Sequence, residues 1–384
     1  MEQELHSIIL WENARKDSET IIDSIKDKFE ICKIYEIFWP KENFANNLKR
    51  FYGVTLADPQ NKKIKCGDGS FLLIIIRDNN PKKGKRKTSL GSQIVNINIY
   101  DFKMKIRKMI GNGFIIHSSI HQIEANHDFT LLLGKNLDEI LNDCKKPWDN
   151  QIISIKKDLF GNKWNNPDEI FKVLNSSVNY VILRNFEKFP DKIISSAHAD
   201  VDLLTDEKFQ MHFLLNMEKI NKNNVGFSSK IIINNKKVKF DLRYVEDGYY
   251  DEKWSRDILK RKVLTNKGFF IPSKEDHFYS LLYHMLVHKN IIQKDYSDTL
   301  FKIIPHNIKE KYSRKDFDDF KKMMTILNQF MKQNKYKKTN SLQYSLKHNE
   351  ILRLVKVAIL TSKYEGWNFL FRAIKFKVSK SISK

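Results

Sequence analysis

The chain has 384 residues, a formal net charge of +22, 41% hydrophobic residues and 12% aromatic residues. This composition predicts a globular protein with enough residues for two domains, and it excludes an intrinsically disordered chain. No apolar run reaches the roughly 18 residues of a membrane-spanning helix. The N-terminal residues show no signal-peptide pattern, and the 3 cysteines are far apart. We therefore expect a cytoplasmic protein with reduced thiols.

The first block of the chain alternates predicted strands and helices. Its predicted elements are a strand at 6–12, a helix at 17–29, a strand at 30–39, a helix at 41–53 and a strand at 71–78. This alternation predicts an α/β domain with a mainly parallel sheet over residues 1–145. Residues 146–170 mix Trp, Pro, Asn and Lys with weak periodicity, and we interpret them as a linker.

A basic segment follows the third predicted strand. Residues 79–89 are interpreted as a loop with five cations: Lys82, Lys83, Lys85, Arg86 and Lys87. A solvated loop is one interpretation. Contact with phosphate or nucleic acid is the other, because clustered Lys and Arg bind phosphate without sequence preference. The net charge of the chain also has two explanations. It indicates either an anionic partner or simply a Lys-rich composition.

Titratable residues cluster near the end of the first block, in IIHSSIHQIEANHDFTLLLG at 115–134. A helix that begins near Ser119 would place several of them on one face. They form either a second active site or an ordinary solvated helix face with an ion pair. The candidate residues are His117, His121, Glu124, His127 and Asp128.

Two aspartates mark the second half of the chain, in SSAHADVDLLTDE at 195–207. Asp200 and Asp202 lie two residues apart on a predicted strand, so they share a face and could hold divalent cations with oxygen ligands. A third acid, Asp241, lies at the centre of the alternating strand KKVKFDLRYV at 236–245. Two-metal phosphoryl chemistry uses such a third carboxylate. The alternative is an acidic strand end that binds no metal.

The order of these motifs resembles the nucleotidyltransferase superfamily. The strands YVILRN, HADVDLL and VKFDLRY, followed by helices that begin with PSKEDHFYSLLYHMLVH, are similar to its uncharacterised branch found with surface-polysaccharide genes. The resemblance implies a C-terminal α+β catalytic core at 171–272 with a helical extension at 273–384, beside the N-terminal α/β domain. It implies that Asp200, Asp202 and Asp241 hold two Mg²⁺ or Mn²⁺ ions, and that Asp241 helps to activate the acceptor hydroxyl.

The sequence departs from the superfamily pattern at one place. The superfamily usually has a Gly-Ser pair after its first strand, where backbone N–H groups cradle phosphate, but this chain has LRNFEKFPDKIISS there. Arg184 and the pair Ser195 and Ser196 are candidates to replace it. Arg243 is a candidate phosphate clamp, because it is two residues from Asp241 and shares its face.

Three histidines follow in the helical part. His277, His284 and His288 have the spacing i, i+7, i+11, which predicts one face of an α-helix that begins after Ser273. His284 and His288 are candidates for contact with a substrate phosphate or for base catalysis. The alternative is that they pack beneath the active cleft. No H-E-x-x-H motif supports a zinc site.

The C-terminal stretch GWNFLFRAIKFKVSKSISK, at 366–384, combines an apolar stripe with basic residues. It predicts either a helix on an anionic bilayer, which would place the protein at the inner face of the cytoplasmic membrane, or a final helix packed on the domain.

The resemblance implies a metal-dependent transferase that moves a nucleotidyl or a sugar- or polyol-phosphate group to a hydroxyl. It implies a nucleotide or nucleotide-activated donor, and a saccharide or lipid-linked acceptor in cell-surface or capsule polysaccharide biosynthesis. Two alternatives remain: a degenerate module of the same fold that binds nucleic acid, and a tRNA-directed toxin.

Overall fold

The computed structural model describes residues 3–88, 91–111, 113–146, 148–159, 164, 166–189, 200–219 and 228–339. The chain is a mixed α/β protein, as predicted at the level of fold class. It divides into two compact units. The first unit comprises Met1–Val178 and Phe209–Asn216, and the second comprises Asn179–Lys208 and Met217–Lys384.

The first unit is built on an open sheet with helices packed against it. Its strands are β1 (Glu4–Leu10), β2 (Glu30–Phe38), β3 (Phe71–Asp78), β4 (Lys83–Thr88), β5 (Gly91–Asn96), β6 (Ile116–Ser118) and β7 (Ile152–Lys156). Its helices are α1 (Ser18–Lys26), α2 (Phe44–Tyr52), α3 (Pro59–Cys66), α4 (Ile97–Met109), α5 (Gln122–Leu133), α6 (Leu137–Asp143) and α7 (Pro167–Ser177). Helix α8 (Lys208–Leu214) contributes its residues from Phe209 onward.

The main sheet of the first unit has the order β6-β1-β3-β2-β7. Strand β1 is antiparallel to both β3 and β6, and β2 is antiparallel to β3. Only the β2–β7 pairing within this described sheet is parallel. The prediction of a mainly parallel sheet is therefore wrong. Strands β1 and β3 are buried almost throughout. The continuous apolar run of β3, Phe71 to Ile76, is typical of parallel strands as well.

Two other segments of the first unit have a secondary structure that differs from the one predicted from the sequence. Residues 152–156, assigned to a linker, form β7 and pair with β2, so they belong to the sheet. Residues 83–88, assigned to a loop, form β4 and pair with β5 in a two-stranded ribbon. Both strands are largely exposed and lack a buried apolar face, which removes the periodic signal that reveals a strand.

The core of the first unit lies between the sheet and helices α1 and α4. Ile8 and Ile74 of the sheet pack in one cluster with Ile21 and Phe102 of these helices. Because strand residues alternate between faces, Ser7 points away from this cluster, and its hydroxyl donates to Asp128 of α5. Helix α5 thus covers the opposite side of β1. The three cysteines, Cys32, Cys66 and Cys144, are free and buried.

The second unit combines a mixed sheet with a helical layer. Its strands are β8 (Tyr180–Arg184), β9 (Asp200–Thr205), β10 (Glu218–Lys219), β11 (Ser228–Ile233), β12 (Lys236–Tyr244), β13 (Val263–Leu264) and β14 (Phe270–Ile271). Its helices are α9 (Glu252–Lys260), α10 (Lys274–Tyr283), α11 (Lys294–Lys302), α12 (His306–Lys309) and α13 (Phe320–Gln333). The larger sheet has the order β10-β11-β12-β9-β8.

Pairing within this sheet places β9 between β12 and β8. Strand β9 is parallel to β12 and antiparallel to β8. Strands β11 and β12 form the predicted hairpin, and both Asn234 and Asn235 have the positive φ that a tight turn requires. Val181 and Leu204 pack from the sheet against Trp254 of α9 and Phe278 of α10. Ser273 caps α10, as predicted, by accepting the Asp276 N–H at 3.1 Å.

Among the described residues, no helix is both long enough and apolar enough to cross a bilayer. Residues 366–384, with their predicted surface helix, lie outside the described ranges.

Candidate functional site

The three predicted acids lie on one face of the sheet in the second unit. The parallel register pairs Asp202 of β9 with Asp241 of β12. Residues paired across neighbouring strands point to the same face, and Asp200 shares that face because it is two residues from Asp202. Two strands far apart in sequence therefore bring these carboxylates together. Asp200 is exposed, Asp202 is buried, and the side chain of Asp241 is 20% exposed.

Arg184 of β8 bonds the central carboxylate. Its Nη2 lies 2.5 Å from Oδ1 of Asp202, and the two residues are only 4% and 5% exposed. Burial raises the pKa of Asp202, although the Arg184 guanidinium opposes that shift. Burial alone would lower the pKa of Arg184, but the Asp202 carboxylate and neighbouring tyrosines raise it above its usual value. Arg184 is therefore a permanent cation beneath the carboxylates.

Arg243 holds the third acid in the same way. Its Nη2 donates to Oδ2 of Asp241 at 2.8 Å, as expected for residues i and i+2 on one face of a strand. The ring of Tyr249 lies against this guanidinium, with 4.2 Å between the ring centroid and Cζ. The cation–π contact and the carboxylate together fix the position of Arg243.

The two candidate histidines lie behind Tyr249. The Tyr249 hydroxyl and Nδ1 of His284 are 2.7 Å apart, and Nε2 of His288 donates to the Tyr249 carbonyl oxygen at 3.0 Å. Burial lowers the pKa of His284, and it lowers the pKa of His288 to about 3. Both imidazoles are therefore neutral at physiological pH. His288 is 0% exposed, so in this structure it holds Tyr249 in place from the interior.

The helix that carries these histidines is not continuous. Helix α10 ends at Tyr283, and the segment His284–Lys289 is π-helical. The predicted α-helical spacing therefore ends before His284. The wider turn brings both His284 and His288 to Tyr249, and π-helical turns are frequent at functional sites. His277 lies one element earlier, against the ring of Phe186 at 4.6 Å.

Asp247 is a buried acid that the sequence analysis missed. Its carboxylate accepts the backbone N–H groups of Tyr249 at 2.7 Å and Tyr244 at 3.3 Å. Burial raises its pKa to about 6, although Arg243 opposes the shift. The residue lies in the turn VEDGYY, and its two neighbours Glu246 and Gly248 both have positive φ. An Asp before a Gly usually indicates an exposed turn, which concealed its burial.

The donor set suits a hard divalent cation. Three carboxylates share this region with two guanidinium groups, which leaves a net negative charge. The carboxylates belong to Asp202, Asp241 and Asp247, and the guanidinium groups to Arg184 and Arg243. Exposed Asp200 adds a further negative charge. Burial is the main cause of the raised pKa of both Asp202 and Asp247, and the neighbouring carboxylate of Asp241 adds to it. Mg²⁺ and Mn²⁺ prefer oxygen ligands of this kind.

These carboxylates do not form a closed metal cage. Within the described ranges, no group of three His, Cys, Asp or Glu side chains is already arranged around a common point for a metal. Asp202 and Asp241 instead each bond an arginine. Of the remaining candidates, Ser195 and Ser196 lie outside the described residues.

The residues of the predicted second site line one cavity of about 820 Å³ in the first unit. They are His117, His121, Glu124, His127 and Asp128. Helix α5 begins at Gln122 rather than near Ser119, and His121 takes the N-cap position. His127 is engaged structurally, with Nδ1 at 2.7 Å from the Ser177 hydroxyl and Nε2 at 3.0 Å from the Phe51 carbonyl oxygen.

Comparisons of this chain with protein-family models, with curated proteins and with solved structures found no match. The likeness to nucleotidyltransferases therefore stays a prediction that rests on the motifs in the sequence.

Proposed function

We propose that the second unit is a metal-dependent transferase that moves a phosphoryl-containing group to a hydroxyl acceptor. The observation that carries the proposal is the β9–β12 register, which pairs Asp241 with Asp202 and leaves Asp200 on the same face. A site for phosphoryl transfer needs several oxygen ligands from separate elements at one point. An acidic strand end without function gives no reason for a third acid from a distant strand.

The proposed division of roles follows the exposure of each side chain. Asp200, Asp202 and Asp241 would hold Mg²⁺ or Mn²⁺. The bound ion would neutralise phosphate charge and lower the pKa of the acceptor hydroxyl. Asp241 is partly exposed and would accept the proton of the acceptor. Arg184 and Arg243, held by Asp202 and by Tyr249, would retain phosphate oxygens through charge-assisted hydrogen bonds.

The donor and acceptor classes come from the resemblance. We infer a nucleotide or a nucleotide-activated sugar or polyol as donor, and a saccharide or lipid-linked hydroxyl as acceptor in cell-surface polysaccharide biosynthesis. The net charge of +22 supports an anionic donor and association with an anionic membrane surface at its cytoplasmic side.

A second candidate function is a degenerate module that binds nucleic acid without catalysis. One observation favours it: arginines already bond two of the three carboxylates. Such a module would bind nucleic acid without divalent ions, and its affinity would fall steeply with salt.

The test is a titration of the full chain with Mn²⁺, in which electron paramagnetic resonance measures the concentration of the free ion. We expect Asp200→Asn to weaken Mn²⁺ binding by about tenfold, since it removes one charged ligand. Asp200 is exposed, so the change should leave the fold intact. Asp138→Asn, an exposed acid in the first turn of α6 in the first unit, is the matched control. Equal affinities in the two variants, or no binding to the unaltered chain, would refute the metal site.

A further inference from the structure

The first unit contains a cleft that the proposed transferase does not use. The cavity of about 820 Å³ shares Tyr52, Thr55, Arg107 and His117 with a neighbouring cavity of about 510 Å³. We call these two joined cavities the His117 cleft. Their volumes are within the range of small-molecule binding sites, which is roughly 300–1,000 Å³.

Cations line the His117 cleft from several elements. They are Lys62, Lys65, Lys87, Lys103 and Arg107. Lys103 and Arg107 lie one turn apart on α4, so both reach the same side of the cleft. Lys62 approaches from α3, where its Nζ donates to the Phe114 carbonyl oxygen. Positive charge thus surrounds His117 on two sides.

The acids of the cleft have other partners. Asp58 caps α3 by accepting the Asn61 N–H at 2.9 Å, and Glu124 accepts the Ile120 N–H at 2.7 Å. Asp128 bonds His117 and Ser7. Within the described ranges, no salt bridge joins Lys62, Lys103 or Arg107 to a carboxylate. The positive charges of the cleft are therefore left without a direct anionic partner in this part of the chain.

Lys62, Lys103 and Arg107 are partly buried, which makes their charges costly. Loss of solvent lowers the pKa of Lys62 and of Lys103 to about 8, and it lowers the pKa of Arg107. Nε of Arg107 is buried and has no hydrogen-bond partner among the residues that the structure describes. Nζ of Lys103 lies 3.4 Å from the Ser118 oxygen and 5.5 Å from the centroid of the Tyr100 ring. Buried cations are stabilised when an anion pairs with them.

A hydrogen-bonded pair, His117 and Asp128, lies beside these cations. Nε2 of His117 is 2.9 Å from Oδ2 of Asp128, and the Ser7 hydroxyl donates to the same oxygen at 2.5 Å. Burial raises the pKa of Asp128 to about 7 and lowers the pKa of His117 to about 3. Burial therefore favours a neutral His117 imidazole and makes the Asp128 carboxyl easier to protonate than an exposed aspartate. Tyr52, Glu124 and His127 also face the pair, together with Lys62, Lys103 and Arg107.

We propose that the His117 cleft binds a small polyanion with the chemistry of a phosphate ester, beside the hydrogen-bonded side chains of His117 and Asp128. Lys62, Lys103 and Arg107 supply the charges for the anion. Such a site lies wholly in the first unit and goes beyond the transferase proposed for the second.

The probe is inorganic diphosphate, added to the full chain in the presence of a chelator so that divalent ions cannot support binding in the second unit. Calorimetry gives the affinity. We expect Lys103→Gln to weaken binding by about tenfold, the usual effect of removing one charge-assisted hydrogen bond. Lys105→Gln is the matched control, because Lys105 is exposed on the same helix and should change the affinity less than about twofold.

Amine labelling locates the binding. A lysine with a lowered pKa is more often unprotonated near neutral pH, so Lys103 and Lys62 should react with an acylating reagent before exposed Lys105 does. Diphosphate should protect Lys103 and Lys62 at the concentration that saturates the calorimetric signal. Citrate, a polyanion without phosphate, tests whether the cleft selects phosphate. We expect that protection of Lys103 and Lys62 needs a citrate concentration at least about tenfold higher than the diphosphate concentration.

Three results would overturn the proposal. They are no diphosphate binding by the unaltered chain, equal losses in the Lys103 and Lys105 variants, or binding that leaves the labelling of Lys103 and Lys62 unchanged. Protection by citrate equal to that by diphosphate would overturn the phosphate assignment. The Mn²⁺ titration of the second unit is read separately, so each proposal can fail alone.

Discussion

Asp202 and Asp241 face each other across two parallel strands, and each carboxylate is bonded to its own arginine. The two pairs differ in exposure. Asp202 with Arg184 is buried, whereas the side chain of Asp241 is 20% exposed. The first pair is therefore buried on both sides, whereas the second pair joins a buried Arg243 to a partly exposed Asp241.

The buried pair leads to a stability prediction. Arg184→Met should lower the free energy of unfolding by about 3–5 kcal/mol, because it leaves the Asp202 carboxylate buried without a partner. The double variant Arg184→Met with Asp202→Leu should lose less, since no uncompensated charge remains. Urea unfolding measures both.

An exposed ion pair serves as the control for that experiment. Arg256 and Glu252 are 54% and 55% exposed at i, i+4 on α9, so Glu252→Gln should cost no more than about 0.5 kcal/mol. A double variant that is less stable than Arg184→Met alone would contradict the cost assigned to the unpaired Asp202 carboxylate.

Tyr249 leads to a second prediction, because its hydroxyl and its ring serve different contacts. Tyr249→Phe removes the 2.7 Å hydrogen bond to His284 but keeps the ring on Arg243. We expect a loss of about 1–3 kcal/mol in unfolding free energy from the buried imidazole nitrogen left unpaired. Tyr249→Leu also removes the cation–π contact and should lose more. Equal losses in the two variants would show that the ring contributes nothing to holding Arg243.

Asp247 predicts a pH dependence of stability. Burial raises its folded-state pKa from 3.8 to about 6, so the folded protein binds a proton more tightly there than the unfolded chain does. Stability from this group is fully present below pH 3.8 and is lost as the pH rises towards 6. The total change is about 3 kcal/mol.

The experiment measures the free energy of unfolding as a function of pH for the unaltered protein and for Asp247→Asn, whose amide side chain does not titrate. The difference in unfolding free energy between the two proteins should move by about 2 kcal/mol between pH 4 and 6, with the unaltered protein gaining relative stability at the acid end. Parallel curves for the two proteins would contradict the raised pKa.

His288 predicts a silent titration. Burial lowers its pKa to about 3, so its imidazole should stay neutral between pH 8 and pH 5. The NMR resonance of its ring proton should not shift over that range. In the urea-unfolded chain the same resonance should titrate at about pH 6.5. Below that pH the imidazole is protonated in the unfolded chain but stays neutral in the folded chain. Because of His288, acid therefore lowers the free energy of unfolding. A shift in the folded protein near neutral pH would place His288 in contact with solvent.

The sequence predicted the main elements of the first unit well where one face of an element is apolar. Strand β3 was predicted at its observed bounds, and α1 and α2 close to theirs. The exposed strands β4 and β7 were missed, because neither carries an alternating buried face. Strand direction was also misjudged, since burial on both faces produces the same apolar run in parallel and antiparallel sheets.

The candidate sites divide in a similar way. Alternation along β9 was enough to place Asp200 and Asp202 on one face, because that relation is local. The burial of Asp247 and the position of His288 behind Tyr249 depend on helices and turns that pack from distant parts of the chain. No local pattern encodes such contacts.

The sequence by itself determined the class of fold, the turn at Asn234 and Asn235, and which acids share a strand face, because these follow from backbone periodicity and residue preference. Only the tertiary structure decided that Arg184 bonds Asp202 and that His117 bonds Asp128. It also decided that the cations near His117 donate to backbone carbonyl oxygens. Those pairs join residues from different elements, and the charge of each depends on how much water the packing excludes.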